Sequence, residues 1–80
     1  MKFSDLEIVA AQPMGVRRGR AAELVGAPVI LDLMVQARWV EPTIQGNRLT
    51  VFDYEDLRAA WRRLKLEGYE ALRTAAYATG

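Results

Sequence analysis

Apolar residues recur three and four positions apart along much of this chain, and the interruptions divide it into short elements. Ala21, Leu24 and Val25 fall at i, i+3 and i+4, a narrow stripe that predicts a helix from about Arg17 to Val25. Gly26 follows the last apolar residue, where a helix end commonly takes a positive φ. Pro28 then suits the first turn of a second helix, because its missing N–H has no partner to lose there. This helix is predicted from Pro28 to about Trp39. Leu31, Met34 and Val35 share one face, and Ile30, Leu33 and Ala37 form a neighbouring apolar row. Asp32 and Gln36 lie on a polar strip. Glu41-Pro42 is the expected stop, since a residue before proline avoids helical backbone. Two helices joined by so short a turn should cross steeply.

The stretch from Thr43 to Phe52 breaks the helical rhythm. Thr43-Ile44-Gln45 and Arg48-Leu49-Thr50-Val51-Phe52 are β-branched-rich runs, and Gly46-Asn47 between them predicts a two-residue, glycine-first hairpin turn. Asp53 should cap the next helix, with Asp56 at its third position, both suited to the positive end of the helix dipole. Leu57, Ala60, Trp61 and Leu64 give that helix its apolar stripe, with Trp39 and Trp61 expected as core anchors. Arg58, Arg62 and Lys65 share another face, read as solvated together with Arg63 and partly paired with Glu55 or Glu67. Gly68 breaks the helix, and Tyr69 to Tyr77 continue as a separate one with Tyr69, Leu72 and Ala76 on one side. Near the start, Ser4 and Glu7 form a capping-box pattern for a short helix over 4–12, with a strand through Leu6 to Val9 as the rival reading. Pro13 and Gly15 read as a linker.

Eighty residues make one small domain, with its centre over about 17–68 and a C-terminal helical tail over 69–80. Neither cysteine nor histidine occurs, which removes disulfides and the usual soft or imidazole metal sites; no cofactor is expected. The absence of a long apolar run and of a leader-like start predicts no membrane association and is compatible with a reducing cytoplasm. Asp53, Glu55 and Asp56 are a tight acidic group, but helix capping explains Asp53 and Asp56. Gly15 to Arg20 lacks the lysine-serine pair of a phosphate loop, so an enzyme is not expected. Net charge is only +1, so the placement of cations matters more than their sum: Arg17, Arg18 and Arg20 form one cluster, and Arg58, Arg62, Arg63 and Lys65 another.

Taken together, Ala21-Ala22-Glu23-Leu24-Val25-Gly26, Val40-Glu41-Pro42, Gly46-Asn47-Arg48, Phe52-Asp53-Tyr54-Glu55-Asp56-Leu57 and Leu64-Lys65-Leu66-Glu67-Gly68-Tyr69 resemble the MerR-like winged helix-turn-helix domains, including the small phage excisionases and AlpA-type regulators. The resemblance covers residues 20–69. It implies a mainly α fold with a small β-hairpin, the helix Pro28 to Trp39 in the major groove of duplex DNA, and the wing over 43–52 on the backbone or in the minor groove. It further implies a transcriptional regulator or excision factor of phage or mobile-element type.

On this reading Arg17, Arg18 and Arg20 anchor phosphates, and Gln36 and Arg38 face base edges. Gln45, Asn47 and Arg48 form the wing tip. Ordinary solvated polarity explains Gln36 and Arg48 as well. Ile30 and Leu33 have three readings: covered within the chain, part of a protein interface, or in contact with thymine methyls. A single small module should bind weakly, so a homodimer or an array on repeated sites is expected. The rival hypothesis is a protein-interaction adaptor on the same fold, working through the Ile30/Leu33 face of helix 28–39. The apolar run Val29 to Val35, Asp32 within it and the low net charge favour that rival.

Overall fold

A computed structural model describes residues 14–79 of the chain. The predicted helix over 4–12 lies outside the described residues, as do the rest of 1–13 and Gly80. The described chain runs β1 (Gly15–Arg17), α1 (Arg18–Leu24), α2 (Pro28–Gln36), β2 (Ile44–Gln45), β3 (Thr50–Asp53), α3 (Tyr54–Glu67) and α4 (Tyr69–Thr79). It is mainly helical, with a three-stranded antiparallel sheet in the order β1-β3-β2.

The linker expected around Gly15 is instead strand β1. Only Val16 of its three residues is buried, so the alternation is too short to stand out in the sequence. Val16 sits opposite Phe52, which is fully buried. Gly15 is required by the close approach to β3: a Cβ there would meet a Val51 methyl at 2.8 Å. The tight turn between α1 and α2 forms as the sequence predicts. Gly26 takes φ 105°, and Pro28 opens α2 after an extended Ala27.

Helix α2 ends at Gln36, earlier than Trp39, and Glu41-Pro42 is not what stops it. The chain leaves through a left-handed residue, Arg38, at φ 65°. The Arg38 N–H donates to the Val35 carbonyl at 3.1 Å, and the Trp39 N–H to the Met34 carbonyl at 2.9 Å. These two bonds make a Schellman closure, which usually carries glycine at the left-handed position. An arginine there costs about 1–2 kcal/mol. The turn offsets this by sending Val40 into the core and packing Trp39 against it.

The hairpin tip also differs from expectation. Gln45 pairs with Thr50, and the Gly46 N–H donates to the Leu49 carbonyl at 2.7 Å, so Asn47-Arg48 is the turn and not Gly46-Asn47. Neither Gly46 nor Asn47 takes the positive φ that a glycine-first turn needs. Strand β3 is held on its other edge by β1, with Phe52 in the core. Strand β2 joins β3 with Ile44 opposite Val51 and Gln45 opposite Thr50.

Asp53 ends β3 and caps α3, its carboxylate accepting from the Asp56 N–H at 3.0 Å as expected. Gly68 at φ 94° separates α3 from α4. Helix α4 is no appendage: Leu72 and Ala76 are fully buried, and its packing on α2 is the most extensive between any two described elements. Leu31, Met34, Phe52 and Leu72 are the largest fully buried side chains. Trp39 is only partly buried, with the Arg63 guanidinium over its ring at 4.4 Å. Trp61 is 42% exposed and is therefore a surface residue and not a core anchor.

Candidate nucleic-acid interface

Strand alternation buries Val16 and turns Arg17 outward beside Val51. Arg18 follows at once as the first residue of α1. Across from them, the β2–β3 turn presents Asn47 and Arg48, both exposed. The two segments face one another over an open cleft lined by Arg17, Arg18 and Gly19 on one side and Asn47, Arg48, Leu49 and Thr50 on the other. Three guanidinium groups from distant parts of the sequence line this cleft, and no carboxylate does.

The cleft is tied to α2 by an ion pair between Arg18 and Asp32. Both side chains are about half exposed, so the pair adds little to stability, about 0–1 kcal/mol. Its electrostatic effect is larger than its stability effect, because it offsets the one carboxylate on α2. Pro28, Val29, Asp32 and Gln36 are the exposed residues of that helix and form its outer row. Arg20 is exposed on α1 and engages Glu23 at 3.1 Å. Among the described residues, Arg17, Arg38 and Arg48 form no ion pair, which leaves their charge available to an anion.

The expected site residues therefore divide. Arg17, Arg18, Asn47 and Arg48 come together in the cleft. Gln45 is exposed on β2 opposite Thr50, a cleft residue, and Gln36 is exposed at the end of α2. Arg38 is exposed in the left-handed turn but does not line the cleft. Leu33 is only 7% exposed and Ile30 packs partly against the core, so of the three readings cover within the chain holds. Leu33 has no surface to offer DNA or a partner. The outer row instead contains Val29, at 55% exposed, and Asp32. The sequence marks Asp32 and Gln36 as a polar strip, and the structure exposes both; it does not single out Val29 beside them, because α2 is apolar on two adjacent rows.

No family model, no curated protein and no solved structure matches this chain. The chemistry of the cleft must be judged from its own groups. Guanidinium and amide donors in a cleft lined by no carboxylate suit phosphate oxygens, although Arg18 also pairs with Asp32 beside it. Among the described residues no group of three or more acidic, histidine or cysteine side chains could hold a metal ion. No described helix is long and apolar enough to cross a membrane.

Proposed function

We propose that this protein binds duplex DNA as a small winged helix-turn-helix of the MerR/excisionase kind, in a regulatory or architectural role. The observation that carries the reading is the convergence of Arg17, Arg18 and Arg48 on one cleft lined by no carboxylate, with Arg18 paired to Asp32 on the outer row of α2. In this arrangement α2 enters the major groove with Val29 and Gln36 toward base edges. An amide such as that of Gln36 pairs with adenine, and an apolar side chain such as Val29 meets the thymine methyl. The turn at Asn47-Arg48 touches the backbone or the minor groove, while Arg17 and Arg18 neutralise phosphates on the flank. A phosphate near Arg18 competes with Asp32 for the same guanidinium, so DNA binding opens that ion pair. The adaptor alternative relied on an exposed Ile30/Leu33 face, and the burial of Leu33 removes most of that surface.

The test is fluorescence anisotropy of a labelled random-sequence duplex titrated with the protein at low and at moderate salt. Binding whose logarithm falls steeply with log salt supports phosphate neutralisation. No binding at low salt overturns the proposal.

A further inference from the structure

A second concave surface lies between α1 and α3, and it shares no residue with the cationic cleft. It is a cavity of about 220 Å³. Leu24, Leu57 and Trp61 supply its apolar lining, and Arg58, Arg62 and Lys65 supply its charge. Leu24 is 39% and Trp61 42% exposed, although both carry enough carbon to have been buried. Trp61 stands in the row Leu57, Ala60, Trp61, Leu64, of which Leu57 and Ala60 are buried, and it lines this groove.

The three cations fall at i, i+4 and i+7 and so form one line along α3, about 10 Å from end to end at the helical rise. Arg58 meets Glu55 only at 3.8 Å, and Arg62 and Lys65 form no ion pair among the described residues. The neighbouring cations behave differently: Arg63, on another face of α3, is held by Glu67 at 2.8 Å and by the Trp39 ring. The helix thus holds Arg63 closely and Arg58 loosely, and leaves Arg62 and Lys65 without an ion pair among the described residues, beside exposed carbon.

We propose that this groove docks an acidic amphipathic helix from a partner protein. Carboxylates spaced by one and two turns along that helix match the row Arg58, Arg62, Lys65, and an aliphatic or aromatic side chain on the same face enters the cavity against Trp61 and Leu57. A duplex backbone complements the charge but has no apolar side chain to set against Leu24, Leu57 and Trp61. An apolar helix fills the cavity but leaves the cations desolvated without partners. Helix-in-groove recognition with spaced anchors is the mode that meets both requirements.

The experiment uses the full chain and a labelled synthetic peptide with glutamates at i, i+4 and i+7 beside a row of leucines. A control peptide carries lysines in place of the glutamates. Anisotropy should show binding of the acidic peptide alone, weakening as salt rises. Arg62→Glu with Lys65→Glu should lower that affinity by about tenfold or more, both sites being exposed and remote from the core. Trp61→Ala should do likewise, with circular dichroism confirming an unchanged helix content. Duplex-DNA binding should stay as in the wild type, so failure here and failure of the DNA reading are separable. Equal binding of both peptides, or acidic-peptide binding unaffected by the charge reversal, overturns the proposal. So does a loss of DNA affinity in Arg62→Glu with Lys65→Glu, which assigns the groove to DNA. A concentration-dependent dimer abolished by the same change assigns it to a second copy of the chain and also overturns it.

Discussion

Arg17, Arg18 and Arg48 meet across a cleft whose remaining lining is Gly19, Asn47, Leu49 and Thr50, whereas Arg58, Arg62 and Lys65 stand in a row beside Leu24, Leu57 and Trp61. In composition the two groups are alike: each is three cations in a nearly neutral chain. The fold gives them different surroundings. The first is assembled from a strand end, a helix start and a hairpin turn, with Gly19, Asn47, Leu49 and Thr50 between its cations. The second lies along one helix and borders a cavity in which the cations alternate with Leu24, Val25, Leu57 and Trp61. Charge sets only the sign of a ligand. What lies between the charges separates phosphate from a carboxylate attached to an apolar helix.

Both surfaces depend on one core, and the largest expected effect removes them together. Leu72 is fully buried on α4, against α2. Leu72→Ala should cost about 2–5 kcal/mol in urea denaturation, enough to threaten folding in a domain this small. Retention of full stability would show that α4 does not support the two surfaces. Next comes the charge reversal that separates them. Arg17→Glu with Arg48→Glu should weaken duplex-DNA binding about 100-fold at low salt, while Arg62→Glu with Lys65→Glu should change it by less than about threefold.

A smaller effect concerns the turn after α2. Arg38→Gly should stabilise the protein by about 1 kcal/mol, because glycine adopts the left-handed conformation without strain. Thermal unfolding would register this as a rise of about 4–8 °C. If DNA affinity falls as well, Arg38 belongs to the DNA surface despite lying outside the cleft. The smallest expected change is at Asp32. Asp32→Asn should move stability by less than about 0.5 kcal/mol, since its ion pair is half exposed. It frees Arg18 and removes a negative charge from α2, so DNA affinity should rise by about threefold. A fall would mean that Asp32 positions Arg18 for DNA.

These regions were unequally legible in the sequence. Helix starts and breaks carried by one dominant local preference were clear: Pro28 opening α2, Asp53 capping α3, Gly26 and Gly68 at positive φ. Where tertiary packing overrode local preference, the sequence misled. Arg38 takes a glycine's conformation so that Val40 can reach the core. Gly46-Asn47 matches a glycine-first hairpin turn, yet Gln45 pairs with Thr50 and Gly46 bonds Leu49, which places the tip at Asn47-Arg48. Strand β1 was hidden because a single buried valine makes no pattern. The cationic cleft was half visible: its residues were picked out, but their meeting depends on β1 and on that shifted turn. The groove at Trp61 was not visible, since a tryptophan on an apolar stripe reads as core until its neighbours are placed.

The most direct test of the central claim is the salt dependence of duplex-DNA binding in three proteins: the wild type, Arg17→Ala with Arg48→Ala, and Arg62→Ala with Lys65→Ala. The account predicts a steep wild-type slope of log affinity against log salt. The slope should become shallower by about two in the first variant, one for each lost phosphate contact, and stay unchanged in the second. Equal slopes in all three proteins, or a shallower slope only in the second variant, would contradict the assignment of the cleft to DNA.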